Sequence, residues 1–106
     1  MSRDSVGELE YLILLAILAL GDDATAPAVR RLLTDEGRTL TRGALYRSLD
    51  RLGEKALIDW TSEPPADGSG HTRRRYAVTA TGREVVRDRR ATLERLWAGA
   101  AGALDG

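Results

Sequence analysis

Apolar residues recur at helical spacing in the segment that begins near residue 40. The members of this stripe are four, three and four positions apart, and they are Leu45, Leu49, Leu52 and Ala56. Such spacing places them on one face of an amphipathic helix. Thr41 precedes the stripe and is a good N-cap, because its hydroxyl can accept a hydrogen bond from the first turn. The pattern predicts a helix from Arg42 to about Lys55. The other side of its N-terminal half carries Arg42, Gly43, Tyr46 and Arg47.

Two further helices are predicted before this one. The segment Glu8–Leu20 is apolar almost all round, which is typical of a helix that is buried on most sides. A second helix is predicted from Ala28 to Thr34, with Asp23 or Thr25 as its N-cap and Gly37 after its end.

A pair of strands and a long helix are predicted after it. Leu57–Thr61 and Arg74–Val78 have strand composition, and the Pro- and Gly-rich segment between them reads as a loop. A last helix is predicted over roughly Ala80–Ala103, capped by Thr79 or Thr81.

The order of these elements predicts a mainly α fold with a two-stranded wing, which is the winged helix-turn-helix. We expect residues 1–79 to form the DNA-binding domain and residues 80–106 to form a C-terminal dimerisation helix. A chain of 106 residues with 42% apolar residues can build one small core.

Composition excludes several other classes of protein. The chain has no cysteine, so it has no disulfide and no cysteine metal site. Its longest apolar run, Tyr11–Leu20, is about half the length that crosses a bilayer, so we expect a cytoplasmic protein without a membrane partner. His71 is the only histidine, and no acidic residues are spaced to form a metal site with it. No catalytic constellation or phosphate-binding loop stands out, so neither enzyme activity nor a cofactor is expected.

Basic residues are concentrated at two places, although the formal net charge is zero. Around the third helix we expect Arg42 and Arg47 to reach base edges or phosphates, and Tyr46 to donate its hydroxyl to a phosphate. In the wing, Arg73 and Arg75 share one face of a strand, and Arg74 shares the other with Tyr76. The alternative for both groups is a solvated charged surface. The predicted DNA-binding residues are Thr41, Arg42, Gly43, Tyr46, Arg47, Arg38, His71, Arg73 and Arg75.

Several motifs together make the chain resemble the PadR family of transcriptional regulators. They are the opening Gly7–Leu15, the segment Gly43–Tyr46 with the Leu, Arg and Glu-Lys positions that follow it, the basic stretch Gly70–Tyr76, and Thr79–Arg83. The resemblance covers nearly the whole chain and is to the short members with a single C-terminal helix. It implies a homodimeric, ligand-responsive repressor that binds a palindromic operator in double-stranded DNA.

Two positions depart from the family pattern. The second helix of the family usually begins with an aromatic-Gly pair, where this chain has Ala26–Pro27. The glycine that follows the third helix in the family is replaced by Ala56, and Gly53 lies earlier. Neither change removes a predicted DNA-contacting position, but the first weakens any expectation of a ligand contact through the second helix.

The last helix carries an apolar stripe of its own. Its members are seven, four, three and four positions apart, and they are Val86, Leu93, Trp97, Ala100 and Leu104. Leu96 lies on an adjoining face. So broad a stripe offers more surface than one small core can cover, so these residues, with Leu12 of the first helix, are predicted to form a homodimer interface. The alternative is packing onto the same chain.

Trp97 and the overall function each have two interpretations. Trp97 is either an interface anchor or, paired with its copy across a two-fold axis, the wall of a site for a small aromatic or hydrophobic effector. For the whole chain, the alternatives to an operator-binding repressor are a winged-helix protein-interaction module and a hydrophobic-ligand-binding protein that does not bind an operator.

Overall fold

The computed structural model describes residues 6–64 and 73–105. Its elements follow the predicted order, and their bounds are α1 Glu8–Leu20, a 3-10 turn Gly21–Asp23, α2 Ala26–Asp35, α3 Arg42–Glu54, β1 Ile58–Glu63, β2 Arg73–Val78 and α4 Ala80–Asp105. The mainly α fold with a two-stranded wing is confirmed.

Threonine side chains fix the starts of three helices. The Thr25 hydroxyl accepts from the Ala28 N–H at 3.3 Å and the Thr41 hydroxyl accepts from the Ala44 N–H at 3.0 Å. For α4 the cap is Thr79 and not Thr81, because the Thr79 hydroxyl accepts from the Gly82 N–H at 3.0 Å. Satisfying these N–H groups favours initiation at the observed residues.

The third helix ends earlier than its apolar stripe suggested. Ala56 was predicted as the last inward residue, but it lies beyond the end of α3, is exposed, and has a φ of 60°. The chain reverses there through hydrogen bonds from the Leu57 N–H to the Leu52 carbonyl and from the Ala56 N–H to the Gly53 carbonyl, both at 3.0 Å. This turn is a Schellman-like ending that favours glycine at the left-handed position.

The core lies where α1 crosses α2 and α3. Ile13 and Leu14 of α1 have no exposed surface, and Val29 of α2 and Leu52 of α3 are also fully buried. α1 is covered by α2, α3 and α4 and by β2, which explains why its sequence is apolar on nearly every side.

The wing is a two-stranded antiparallel sheet whose two faces differ. Trp60 lies opposite Tyr76, and the edge of β2 is extended by a hydrogen bond from the Tyr76 N–H to the Ala24 carbonyl at 2.9 Å. The face with Trp60, Arg74 and Tyr76 is directed toward α3, since the Trp60 ring lies beside Gly53. The other face carries Thr61 and Arg75.

The long helix α4 packs against the core at its start and is exposed to solvent over its C-terminal half. Gly82, Val85 and Val86 are buried, whereas the residues from Thr92 to Asp105 are all exposed. Val86 therefore belongs to the core of its own chain and does not begin a free seam, so its assignment to a homodimer interface needs correction. The boundary predicted at residues 79/80 remains a prediction, and the first two turns of α4 share the core of the winged unit.

Candidate nucleic-acid interface

The N-terminal half of α3 presents a compact exposed surface of basic, aromatic and small residues. The Arg42 guanidinium carbon lies 5.6 Å from the centroid of the Tyr46 ring, a distance suited to a cation–π contact. A Cβ at Gly43 would lie only 3.3 Å from an Nη atom of Arg47, so the Arg47 side chain folds back over Gly43. Thr41, the cap of this helix, is exposed at the same end.

A second helix end lies beside this surface. A shallow cavity of about 240 Å³ separates the start of α2 from α3 and is lined by Ala26, Pro27, Arg30, Arg42, Leu45 and Tyr46. Arg30 donates from Nε to the Leu40 carbonyl at 3.0 Å and so braces the turn that leads into α3. Nothing in the sequence spacing of Arg30 indicates a hydrogen bond to a residue ten positions later.

The two predicted wing residues that the structure describes, Arg73 and Arg75, share the face of the sheet that does not carry Trp60. Arg75 donates from Nε to a carboxylate oxygen of Glu63 at 2.8 Å and from an Nη atom to the Asp22 carbonyl. This hydrogen bond to Glu63 raises the pKa of Arg75. Arg73 is exposed and lies opposite Glu63 in the register. His71 lies outside the described residues. DNA contacts by Arg73 and Arg75 stay predictions.

Arg74 is held differently on the face turned toward α3. Its guanidinium carbon lies 4.7 Å from the centroid of the Trp60 ring, and the Trp60 and Tyr76 rings are 6.1 Å apart. Burial raises the pKa of Tyr76, and a hydrogen bond and the positive charge from Arg74 partly oppose that rise. Alternation along the strand predicted that Arg74 and Tyr76 share a face, but Arg74 was not among the predicted DNA-binding residues and Trp60 had no predicted role.

The opposite end of α3 is fixed by a buried acid that the sequence analysis did not identify. The side chain of Glu10 in α1 is only 6% exposed. Its carboxylate accepts hydrogen bonds from Arg51 Nε and Lys55 Nζ, each at 2.9 Å. It also accepts from the Gly7 N–H at 3.1 Å. Burial raises the pKa of Glu10, but these hydrogen bonds outweigh burial and lower it overall. Glu10 therefore sets the position of the third helix against the first.

Arg38, in the turn before α3, forms an ion pair with Glu8 of α1. The guanidinium and the carboxylate are 3.1 Å apart, and both side chains are well exposed. Such a pair contributes little to stability, so a phosphate could replace the carboxylate at small cost. Arg38 thus lies in the turn before α3 as predicted, and its contact with DNA stays a prediction.

Most residues predicted for the dimer interface form an exposed apolar strip on α4. Leu93 is 41% exposed, Leu96 64%, Trp97 60% and Leu104 67%, and Ala100 is also exposed. On α1, Leu12 is only partly exposed and packs against the core, while Leu15 is 36% exposed. We name Leu93, Leu96, Trp97 and Leu104 the α4 apolar strip.

No helix among the described residues is long and apolar enough to cross a membrane. Within residues 6–64 and 73–105 there is likewise no group of three or more acidic or histidine side chains placed to hold a metal ion.

Comparisons with known proteins agree on one family. The chain matches the model of the PadR-like transcriptional regulators over residues 14–88, which is more than half of its length. Its structure is similar to that of a PadR-like transcription factor from Bacteroides fragilis, with 24% identity, a TM-score of 0.73, and coverage of 90% of this chain and 88% of that one.

Two further solved structures have the same arrangement. One is a PadR family transcriptional regulator from Eggerthella lenta, with 25% identity, a TM-score of 0.70, and 92% and 86% of the two chains covered. The other is a PadR family regulator from Clostridium difficile, with 19% identity, a TM-score of 0.71, and 89% and 98% covered. No curated protein matches the sequence at a significant level.

Proposed function

The chain belongs to the PadR-like family of transcriptional regulators, and from that membership we propose that it is a homodimeric repressor of a pseudo-palindromic operator. As a member of that family it is a DNA-binding regulator of transcription and not an enzyme. The observation that carries the finer proposal is the exposed Arg-Tyr-Arg surface at the capped start of α3. The protein would act in the cytoplasm.

We assign DNA reading to the first two turns of α3. Arg42 and Arg47 present guanidinium groups that match guanine edges or phosphates in bidentate geometry. Tyr46 is 36% exposed and offers its hydroxyl to a phosphate. Gly43 adds no side chain, so the Arg47 side chain can fold over it. Asp50 and Glu54 are exposed in the second half and would repel phosphates if the helix lay flat, which favours insertion by its N-terminal end.

A dimer is supported by the α4 apolar strip. Large apolar side chains that recur on one side of a helix and lack a partner in their own chain mark an association surface. A second copy covers such a strip isologously, and the resulting two-fold axis would set two α3 helices about one helical turn of DNA apart, or a multiple of that.

Ligand response is proposed at the same strip. Trp97 is 60% exposed, and in a two-fold dimer its copy would lie nearby. A small aromatic or hydrophobic effector between the two rings would favour one relative rotation of the two subunits and so change operator affinity by population shift.

The decisive experiment is selection of bound duplexes from genomic fragments, followed by titration of the recovered site. Recovery of a pseudo-palindrome is expected. Arg47→Ala should weaken binding to it by about 1–3 kcal/mol, which is the discrimination of one good guanine contact.

Arg95→Ala is the matched control, because Arg95 is an exposed arginine of α4 whose contact is with Thr92 of the same helix. It removes the same charge and should leave affinity unchanged. Recovery of no preferred site, or equal affinities for Arg47→Ala and the wild type, would contradict the proposal.

A further inference from the structure

The two faces of the wing hold their arginines in opposite ways. Arg74 lies on the face that is turned toward α3, together with Trp60 and Tyr76, whereas Arg75 lies on the face that is turned away. Both are arginines of one strand, so a comparison of their partners shows which guanidinium remains available to a phosphate.

Arg75 is engaged by groups of its own chain. Its Nε donates to the Glu63 carboxylate, and an Nη atom donates to the Asp22 carbonyl at the end of α1. The charges of Asp22 and Asp23 also act on it. These contacts tie the wing to the turn between α1 and α2, in surroundings that are acidic and therefore unfavourable to a phosphate.

Arg74 is engaged mainly through the flat face of its guanidinium. That group lies over the Trp60 ring at 4.7 Å, and the Trp60 ring is itself wedged against α3 beside Gly53. Stacking uses the π face of a guanidinium and leaves N–H groups at its edge, where bidentate contacts to phosphate are made. One edge contact goes to the Tyr76 hydroxyl. Arg74 is exposed.

Arg74 also adjoins the reading surface of α3. The Trp60 ring that carries its guanidinium lies beside Gly53 of α3. Tyr46 precedes Gly53 by seven residues, or about two turns, so the two positions lie on one side of α3. Tyr46 in turn carries the Arg42 guanidinium over its ring.

We propose that Arg74, held on the Trp60 ring, contacts a DNA phosphate beside α3, and that Arg75 braces the wing from within. Trp60 is a positioning residue, because it orders a long side chain before binding and so reduces the entropy lost on contact. This assignment rests on the proposed DNA-binding function and deepens it.

The test measures the salt dependence of binding to a fluorescein-labelled duplex of 30 base pairs and mixed sequence, because phosphate contacts do not depend on sequence. Dissociation constants are obtained by anisotropy between 50 and 200 mM KCl for the wild type, Arg74→Ala, Arg75→Ala, Trp60→Phe and Trp60→Leu. Thermal melts establish that each variant is folded.

Loss of one phosphate contact lowers the slope of log K against log salt by about 0.9. For Arg74→Ala we expect this change for each subunit bound. The loss of affinity between 50 and 200 mM KCl should therefore be smaller than that of the wild type by a factor of about three to four per subunit. Arg75→Ala should keep the wild-type slope. Trp60→Leu should lose part of the slope, and Trp60→Phe, which keeps an aromatic face, should restore it.

Two different failures are distinguishable. If the wild type binds and Arg74→Ala keeps its slope while Arg75→Ala loses it, the assignment of Arg74 is overturned and the proposed function stands. If the wild type binds neither this duplex nor any genomic fragment, the proposed function itself falls. Should Arg75→Ala not fold, Arg95→Ala serves as the charge-matched control, and the slope of Arg74→Ala still decides.

Discussion

The start of α4 is fitted against the turn between α3 and β1 so closely that a single methyl group should not be accommodated. A Cβ at Gly82 would overlap the Leu57 carbonyl oxygen and lie 2.7 Å from Val78 Cγ1. The Leu57 oxygen cannot move freely, because it accepts the Thr79 N–H at 3.0 Å. Gly82→Ala must therefore push α4 away from the wing or distort the turn.

The expected loss can be worked out from these contacts. Overpacking of this kind costs about 1–3 kcal/mol, and weakening of the Thr79–Leu57 hydrogen bond adds about 1 kcal/mol. The better helix propensity of alanine returns up to about 1 kcal/mol. The net destabilisation is then about 1–4 kcal/mol, which lowers the Tm by about 4–18 °C in a domain near 100 residues.

Thermal melts followed by circular dichroism measure this effect, at one fixed protomer concentration because the Tm of a self-associating protein depends on concentration. Gly102→Ala is the control, since no atom lies within 4 Å of a Cβ at that exposed position of the same helix. It should melt at or slightly above the wild type. A Gly82→Ala protein that melts with the wild type would show that α4 is not seated on the wing as described.

Three further predictions concern the turn after α3, the buried acid and the apolar strip. Ala56→Gly should raise stability by about 0.5–1 kcal/mol, because relief of the left-handed strain exceeds the entropy of glycine in the unfolded chain; a urea titration that shows a loss would contradict this. Glu10→Gln should cost about 2 kcal/mol at pH 7. The contribution of Glu10 is present above its unfolded pKa of about 4.3 and is lost as pH falls through its lowered folded pKa, so the free energies of unfolding of wild type and variant should converge below that folded pKa; a constant gap would refute the assignment. Leu96→Glu should keep the fold, since Leu96 is 64% exposed, and should shift sedimentation from dimer to monomer, whereas a dimeric variant would place the interface elsewhere.

The fold was predictable from sequence because its signals are local. Thr41 and the Leu45, Leu49 and Leu52 stripe define α3 without reference to any other segment, and the bounds of α1 were predicted to the residue. Ala56 was misplaced because periodicity alone does not show where a helix ends. The family pattern, which has glycine at that place, contained the missing information, and the positive φ of Ala56 gives its physical reason.

The candidate site was predictable only in part, because its contacts join residues that are distant in sequence. Alternation along β2 separated Arg74 from Arg75, but it could not show which face meets α3. That depends on the pairing of Trp60 with Tyr76, which are sixteen residues apart in the sequence. Glu10 was equally hidden, since its partner Arg51 lies 41 residues later.

The pairing of charges explains how a chain with no net charge can still offer a basic surface. Glu10 holds Arg51 and Lys55, Glu63 holds Arg75, and Glu8 holds Arg38. In the part of the chain that the structure describes, none of the ion pairs includes Arg42, Arg47 or Arg74. The acids thus neutralise basic residues around the reading surface and leave its own guanidinium groups for an anion. Because Coulomb attraction depends on where charge lies and not on the total, these three guanidinium groups can attract a phosphate although the formal net charge of the chain is zero.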